Sequence, residues 1–323
     1  MKAGKLNWDD LKGIIEEAKS VKREEVLVSN SIGEDCAILD FKDNKCIVST
    51  DPITGANKGS GALAVNINCN DIAASGGEPL GILVTILAPT NATLNDIKNI
   101  MKEIDKECKK LNVEVIGGHT EVTEAVNKMV ISCTVLGKSK KPIPTNGASI
   151  GDDIIVTKDL ALEGTFIIVN DNIKNCRSFI TEDELKEGMS FGNNLSVVEE
   201  GKIASKFKVT SMHDITEGGL LGALWEMAKA AEVGFEIYEE SLPIREISKK
   251  LCNKLKINPL RLISSGSMLI VTSEGKKLVR ELESKGIKGT IIGKITEDNG
   301  FIICNNEKIE VEPPLRDELF NIK

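Results

Sequence analysis

The sequence lacks several signatures by which chemistry is usually recognised. Its eight cysteines include no Cys-x-x-Cys pair and no spacing that suits a zinc site or a disulfide framework, which favours reduced thiols. Neither GxxxxGK[ST] nor GxGxxG occurs, so a P-loop and a dinucleotide fingerprint are both excluded. Repeats of fixed period and low-complexity tracts are also missing.

Basic residues are outnumbered by acidic ones, 41 against 49, and long apolar runs are missing. The first twenty residues carry charges where a signal peptide would need an apolar run, and no later segment is apolar for the length of a membrane span. The net charge is −8 and the pI is near 5.2, which disfavours binding to nucleic acid or to a membrane surface. We therefore expect a soluble, cytoplasmic protein whose acidic groups are available to a cation.

The length of 323 residues and the hydrophobic content of 41% predict two domains, each with its own core. Residues 137–149, GKSKKPIPTNGAS, concentrate Lys, Pro, Gly and Ser and form the best linker in the chain. We place an N-terminal domain at 1–140 and a C-terminal domain at 150–323. Strands and helices alternate in both, which predicts α+β or α/β layers.

The apolar patterns and turn residues predict the following elements. Strands are expected at 25–29, 46–49, 80–87, 113–116, 128–136, 153–157, 209–214, 234–237, 267–271, 290–295 and 301–303. Helices are expected at 62–75, from a Thr93 cap to 111, at 195–206, from a Thr216 cap over 217–231, at 244–255 and at 274–285.

Three aspartates stand at predicted turns or beside amide-bearing positions. Asp35 follows a glycine turn, Asp51 is expected where a strand stops at Pro52, and Asp71 lies next to Asn70 on a predicted helix. Mg²⁺ prefers oxygen ligands and is usually held by a few carboxylates together with substrate phosphates. The three aspartates therefore suit a magnesium–nucleotide site. The alternative is that Asp35 and Asp51 only cap turns and that Asp71 faces solvent.

The predicted helix 62–75 is unusually rich in short polar side chains. Asn66, Asn68, Asn70 and Asp71 fall within six positions, although Asn and Asp compete for backbone hydrogen bonds and are poor helix-interior residues. Asn66 and Asn70 are four residues apart, so both amides should project from one face. Recognition of metal or phosphate is one reason for such a pattern.

The only two histidines of the chain lie in or directly before two glycine-rich segments predicted to be turns. Gly117-Gly118-His119-Thr120 and Asp214–Gly219 permit close backbone approach and offer amides to phosphate, although a structural turn is the alternative for each. His119 and His213 each have an acid within two positions, which suits general acid–base work or phosphate binding. A third candidate combines Lys158 with Glu163-Gly164-Thr165 and Ser264-Ser265-Gly266-Ser267.

Six motifs occur in a recognisable order: Gly-Glu-Asp-Cys-Ala (33–37), Ser-Thr-Asp (49–51), Asn-Asp-Ile-Ala-Ala-Ser-Gly-Gly-Glu-Pro (70–79), Gly-Gly-His-Thr (117–120), His-Asp-Ile-Thr-Glu-Gly-Gly-Leu (213–220) and Ser-Ser-Gly (264–266). Together they resemble the superfamily of aminoimidazole ribonucleotide (AIR) synthase, the hydrogenase maturation dehydratase HypE, thiamine monophosphate kinase and selenophosphate synthetase. The resemblance covers nearly the whole chain, and it is nearest to the HypE-like, AIR-synthase-related branch.

The resemblance implies an N-terminal domain whose strands build a β-barrel across a homodimer, a C-terminal α+β domain, and Mg-ATP between them. Asp35, Asp51 and Asp71 would bind metal and phosphates. ATP would phosphorylate an amide-like or other small or protein-borne acceptor. The predicted cofactor-binding residues are Asn70, Gly117, Gly118, Thr120, Lys158, Gly218 and Gly219, and the predicted catalytic residues are His119, His213 and Asp214.

The chain also departs from the HypE-like pattern. HypE proteins end in a reactive cysteine, whereas the last cysteine here is Cys304. HypE proteins tend to have an arginine where Glu217 stands and an acid where His119 stands. We therefore expect a different acceptor side of the pocket within the same Mg-ATP chemistry. The alternatives are a nucleotide-binding maturation scaffold without turnover and a small-molecule kinase resembling thiamine monophosphate kinase.

Overall fold

The computed structural model describes residues 4–5, 13–28, 38–54, 59–313 and 316–322. These residues form two compact units: the first draws on 1–72 and 77–142, and the second on 73–76 and 143–323. Asp35 lies outside the described residues, and so does the rest of the 33–37 motif. None of the described helices is long and apolar enough to cross a membrane.

The described residues of the first unit form a five-stranded sheet in the order β1-β6-β5-β7-β4 and a small β2–β3 ladder. The strands are β1 (Gly4–Lys5), β2 (Val26–Val28), β3 (Ile38–Leu39), β4 (Lys45–Ile53), β5 (Glu78–Pro89), β6 (Glu114–Thr123) and β7 (Val130–Ser139). β5 and β6 are parallel, whereas the β4–β7 and β5–β7 pairs are antiparallel.

Helices α1 (Ser60–Ala74) and α2 (Leu94–Leu111) accompany this sheet. α2 begins with the predicted Thr93 cap, in which Thr93 and Asp96 satisfy each other's backbone amides. Ile72 of α1 packs so closely on β7 that a Cβ at Gly137 would come within 2.2 Å of it. α1 therefore lies against the sheet face to which alternate residues of β4 point.

The opposite face of the β4–β7–β5 sheet carries apolar and β-branched side chains that remain accessible. Val48 of β4 is 59% exposed, and its neighbour across the ladder is Leu136. Leu83, Thr85 and Leu87 of β5 are only partly buried, although β5 lies inside the sheet. An interior strand with accessible leucines is typical of a sheet that has a further surface to cover.

The described residues of the second unit form a seven-stranded sheet in the order β14-β13-β10-β12-β8-β11-β9. Its strands are β8 (Asp153–Thr157), β9 (Val209–Ile215), β10 (Gly234–Tyr238), β11 (Ser267–Thr272), β12 (Gly289–Thr296), β13 (Gly300–Cys304) and β14 (Glu307–Glu310). Every neighbouring pair is antiparallel except β10 and β13.

The helices of the second unit are α3 (Leu162–Asp171), α4 (Ile173–Cys176), α5 (Glu182–Ser190), α6 (Val198–Ala204), α7 (Gly219–Ala231), α8 (Glu246–Leu255) and α9 (Gly275–Ser284). One hydrophobic core joins α7 to the sheet. It contains Leu224 and Met227 of α7 together with Ile154, Ile215 and Leu269 of the strands. The core fixes α7 shortly after β9. Asp214 and Ile215 belong to β9, so the predicted Asp214–Gly219 turn is confined to the residues between Ile215 and α7.

Several predicted boundaries were wrong, each for a physical reason. β4 continues through Pro52 to Ile53, because β4 lies at the sheet edge, where a residue without a backbone N–H is tolerated. Residues 117–121 belong to β6 and do not form a turn. α7 begins at Gly219 after a left-handed Gly218, so Thr216 does not cap it. The predicted helix 195–206 is confined to Val198–Ala204, and β14 was not predicted.

Candidate functional site

The first cluster of predicted site residues lies where β4 meets α1. The backbone amide of Asp51 donates to Oδ1 of Asn68 at 2.7 Å, and Nδ2 of Asn68 donates back to the carbonyl of Asp51 at 3.3 Å. The Ser49 hydroxyl donates a short hydrogen bond to the Asp71 carboxylate. Ser49 and Asp51 are two residues apart on one strand, so both face α1. The structure therefore brings Asp51 and Asp71 to the same seam.

The polar residues of α1 differ in what they do. Asn66 is 4% exposed and donates to the carbonyl of Ala62, so this hydrogen bond stays within its own helix. Asn70 is fully buried. Asn68 instead ties the helix to β4, and with Ser49 it sets the spacing between the two aspartates. The crowding of Asn and Asp in α1 was a usable signal for Asn68, whereas Ser49 could be found only from the strand register.

The chemistry of this seam fits a magnesium ion completed by phosphate. Asp51 and Asp71 supply carboxylate oxygens, which are the ligands that Mg²⁺ prefers, and Mg²⁺ is commonly held by one or two carboxylates plus substrate phosphates. Among the described residues, no group of three or more His, Cys, Asp or Glu side chains is arranged to hold a metal. Asp51 and Asp71 could therefore supply only part of the ligand set of such an ion.

His119 lies away from these aspartates on the sheet. Its Nε2 is 3.2 Å from Oε2 of Glu121, two residues along β6. Across the ladders His119 is opposite Thr85, Thr85 is opposite Ser132, and Ser132 is opposite Pro52. Directly paired residues share a face, and Asp51 precedes Pro52, so His119 and Asp51 point to opposite faces. The structure does not bring His119 together with Asp51.

Gly118 has a packing reason to be glycine. A Cβ at this position would lie 1.9 Å from the carbonyl oxygen of Val84 on β5, and its φ is +152°. Gly117 is less constrained, because the nearest atom to a Cβ there is a methyl carbon of Leu83 at 3.0 Å. The close approach of β5 and β6 therefore explains Gly118 without a ligand.

The second cluster surrounds the glycine turn between β9 and α7. Gly218 and Gly219 both have positive φ, and a Cβ on Gly219 would lie 2.6 Å from the carbonyl oxygen of Leu260. The Gly219 amide donates to the Thr216 carbonyl at 3.1 Å. The Gly218 amide donates to Oδ2 of Asp317 at 2.7 Å. Both predicted phosphate-binding amides thus have acceptors within the unit.

Three buried carboxyl groups lie beside this turn: Glu163, Asp214 and Asp317, with 3%, 4% and 2% exposure. The pKa of Glu163 is raised to about 7, mainly by burial and in smaller part by the charges of Asp317 and Asp214, while hydrogen bonds from Ser265 oppose the rise. Burial also raises the pKa of Asp317. Asp317 is the member that the sequence patterns did not identify, because its partner Gly218 is 99 positions earlier.

The serine loop, Ser264–Ser267, follows the 3₁₀ turn Pro259–Arg261 and belongs to the same cluster. The Ser265 amide donates to Oε2 of Glu163, and the Ser264 amide donates to the Thr216 carbonyl, both at 3.3 Å. The Ser264 hydroxyl accepts from the Ala161 amide at 2.8 Å. The start of α3, the serine loop and the glycine turn are therefore neighbours. The two segments of the third sequence candidate, Glu163–Thr165 and Ser264–Ser267, are thus in contact.

His213 is bonded on both ring nitrogens. Nε2 lies 3.2 Å from Oε2 of Glu226 on α7, and Nδ1 lies 2.6 Å from the carbonyl of Asp214. Burial would lower the pKa of His213, but the hydrogen bond to Glu226 and the charge of Asp214 outweigh it and raise the pKa. The ring can donate from both nitrogens only as the imidazolium, so these two acceptors stabilise the protonated form of His213.

Lys158 is held inside the second unit. Its Nζ lies 2.6 Å from Oε1 of Glu200 and donates to the Ser196 carbonyl at 2.6 Å. Glu200 is only 3% exposed, so release of Lys158 would leave a buried carboxylate unpaired. A contact between the Lys158 ammonium and a nucleotide would therefore have to form while Lys158 stays paired with Glu200.

Two sheet-and-helix units, with an aspartate seam on one and a His–carboxylate–glycine turn on the other, define a two-domain AIR-synthase-like protein. The chain belongs to the AIR synthase related protein family: the N-terminal domain of that family matches residues 33–139, and its C-terminal domain matches residues 149–304. The mixed two-domain fold predicted from the motifs is thereby confirmed.

Named relatives span most of the chain. A Methanocaldococcus jannaschii protein, provisionally named a hydrogenase expression/formation protein, is 28% identical over 284 residues, which are 84% of this chain and 82% of the relative. The thiamine-monophosphate kinase of Pyrococcus horikoshii is 24% identical over 297 residues, covering 89% and 90%. The crystal structure of the hydrogenase maturation protein HypE in complex with ATP has a TM-score of 0.74 at 18% identity, covering 89% of this chain and 90% of that one.

Proposed function

We propose that this chain is a Mg-ATP-dependent enzyme of the HypE-like branch that transfers a phosphoryl group to a small or protein-borne, amide-like acceptor in hydrogenase maturation. The observation that carries the proposal is the seam of β4 and α1, where Asn68 and Ser49 hold Asp51 and Asp71 together. The hydrogenase-related name of one relative and the ATP complex of HypE support the same conclusion.

In this proposal Asp51 and Asp71, with Asp35, hold the metal and its phosphates. A bound Mg²⁺ would neutralise charge on the phosphates as the phosphoryl group leaves. Asn68 and Ser49 keep the two carboxylates at a fixed spacing, which is the pre-organisation that phosphoryl transfer depends on. The proposed nucleotide-binding residues are Asn70, Gly117, Gly118, Thr120, Lys158, Gly218 and Gly219.

The proposed acid–base residues are His119, His213 and Asp214. His213 holds a proton between Glu226 and the Asp214 carbonyl, so it can give that proton to an acceptor or leaving oxygen. Asp214 is 4% exposed near the end of β9, and its charge helps to raise the pKa of His213. His119, paired with Glu121, lies on the sheet face opposite Asp51, so any acid–base role of His119 would have to be carried out away from the proposed metal site.

We further propose that the chain is a homodimer through the accessible face of the first sheet, with the strands of two copies forming a barrel. Val48 is 59% exposed there, and leucines of the interior strand β5 remain partly accessible. Burial of such a face stabilises association by about 25 cal/mol per Å² of apolar surface. The face is thus suited to a second copy of the same sheet.

Isothermal titration with Mg-ATP tests the enzyme proposal directly. We expect Asp71→Asn to weaken binding about tenfold or more, since a hydrogen-bonded charged ligand is lost. Asp183→Asn is the matched control, because Asp183 lies on α5 with its side chain 93% exposed. Equal affinity of wild type and Asp71→Asn, or no binding by wild type, would remove the proposal.

Measurement of ADP formation distinguishes two other candidate functions, a small-molecule kinase and a nucleotide-binding scaffold. The thiamine-monophosphate kinase of P. horikoshii covers 89% of this chain, which favours a small-molecule kinase as the second candidate. ADP formation that depends on thiamine monophosphate would support that candidate. Tight ATP binding without ADP release across a metabolite screen would instead indicate a nucleotide-binding scaffold.

A further inference from the structure

A late segment of the second unit is fastened against the glycine turn. Nη2 of Arg261 donates to the carbonyl of Glu312 at 2.8 Å, which holds the chain as it leaves β14. Among the described residues 316–322, Asp317 is the only buried one, at 2% exposure. Phe320 of the same segment is 52% exposed. The segment is therefore attached mainly through the carboxylate of Asp317.

Both oxygens of that carboxylate accept backbone amides. Oδ2 accepts from Gly218 at 2.7 Å, and Oδ1 accepts from Leu319 at 2.8 Å. Gly218 is the residue immediately before α7, so a negative charge here also interacts favourably with the positive end of that helix. The second bond is local and shapes the segment itself, whereas the first reaches across 99 positions to the turn.

The turn is confined from its other side by backbone. Gly219 approaches the carbonyl oxygens of Leu260 and Leu262 so closely that a Cβ would lie 2.6 and 2.8 Å from them. The Ser264 amide holds the Thr216 carbonyl at 3.3 Å. Among the described residues, Asp317 thus supplies the one side-chain hydrogen bond to the Gly218 amide. The carbonyl groups of Leu260 and Leu262 pack against the neighbouring Gly219.

We propose that Asp317 is a positioning residue for the turn of residues 216–219 between β9 and α7: its carboxylate holds the Gly218 amide and so fixes the two glycines in the conformation that nucleotide binding uses. This inference rests on the proposed function, because that function counts Gly218 and Gly219 among the nucleotide-binding residues. Asp317 acts through Gly218 and touches no reacting atom.

Amide hydrogen exchange in the full chain tests the structural half of the proposal. In Asp317→Ala we expect the Gly218 amide to exchange about tenfold faster or more, since its acceptor is lost. Asp317→Asn retains a carbonyl oxygen and should keep most of the protection. Thr181→Ala is the matched control, because it removes a helix cap of α5 that is remote in sequence from the turn.

Mg-ATP titration of the same variants tests the functional half. We expect affinity to fall about tenfold in Asp317→Ala, to recover to within about threefold in Asp317→Asn, and to be unchanged in Thr181→Ala. Unchanged Gly218 exchange in Asp317→Ala overturns the inference, and so does Mg-ATP affinity that stays equal, rises, or falls as much in Thr181→Ala. If wild type binds no Mg-ATP, the proposed function fails, while Gly218 exchange still decides whether Asp317 holds the turn.

Discussion

The surroundings of two buried carboxyl groups, Glu25 and Glu163, shift their pKa values in opposite directions. Glu25 is 8% exposed and accepts from Arg23 and Lys138; the hydrogen bond from Arg23 is the main reason that its pKa falls to about 2. Glu163 is 3% exposed beside Asp214 and Asp317, and burial raises its pKa to about 7. Both groups start from an ordinary pKa of 4.5.

The signs of the two pH dependences follow from linkage. A lowered pKa means that Glu25 stabilises the fold above pH 4.5 and that this contribution is lost as the pH falls toward 2. A raised pKa means that the fold favours protonated Glu163, so stability is lost as the pH rises from 4.5 through 7. Each effect is bounded by about 3 kcal/mol at 1.36 kcal/mol per pKa unit.

Replacement of each acid by its neutral amide should distinguish the contributions of Glu25 and Glu163 to stability. At pH 8 we expect Glu163→Gln to raise the free energy of unfolding by about 1–3 kcal/mol and Glu25→Gln to lower it by a similar amount. At pH 4 the gain from Glu163→Gln should vanish. Urea unfolding at both pH values measures this, with exposed Glu199→Gln as a control. Destabilisation by Glu163→Gln at pH 8 would contradict the assigned environment.

At the scale of elements, the close contact of β5 and β6 makes a prediction about the two adjacent glycines. Gly118→Ala places a Cβ 1.9 Å from a backbone carbonyl, so we expect destabilisation by about 1–3 kcal/mol or failure to fold. Gly117→Ala meets only a flexible leucine methyl at 3.0 Å and should be tolerated. Thermal unfolding compares them. Equal effects of the two substitutions would show that packing does not explain Gly118.

The elements that the sequence predicted well are those with local signals. Thr93 and Asp96 form a capping box that marks the start of α2, and the apolar run of β8 falls on Asp153–Thr157 as expected. Pro52 misled the boundary of β4 because only the sheet order shows that β4 is an edge. Asp317 had no local signal, since its role depends on a contact made through tertiary structure.

The candidate site shows the same division between local and tertiary information. Sequence spacing drew attention to Asp51 and Asp71, but their meeting depends on Asn68 and Ser49 across the β4–α1 seam. His119 was grouped with a turn, whereas the ladders put it on the far face of the sheet from Asp51. Side-chain direction in a strand reverses at every residue, so a one-residue uncertainty in register decides which face a group occupies.

At the scale of the whole molecule, the proposed dimer should depend on the accessible face of the first sheet. We expect Val48→Asp to convert a particle of about 70 kDa, twice the chain mass of 35.0 kDa, into a monomer, because a charge would be buried at the contact. Light scattering after size exclusion measures the mass. Ile309→Asp is the control, since Ile309 is also exposed, at 50%, but lies on β14. A wild-type monomer, or a Val48→Asp dimer, would contradict the proposed interface.

The central claim is that Asp51 and Asp71 hold the magnesium ion that accompanies ATP. The most direct measurement is a crystal structure of the full chain with Mg²⁺ and a non-hydrolysable ATP analogue. We predict oxygens of both side chains in the coordination sphere, at about 2.0–2.1 Å from the ion or through one bound water, with phosphate oxygens completing it. Triphosphate and ion bound elsewhere, with Asp51 and Asp71 contacting neither, would contradict the account.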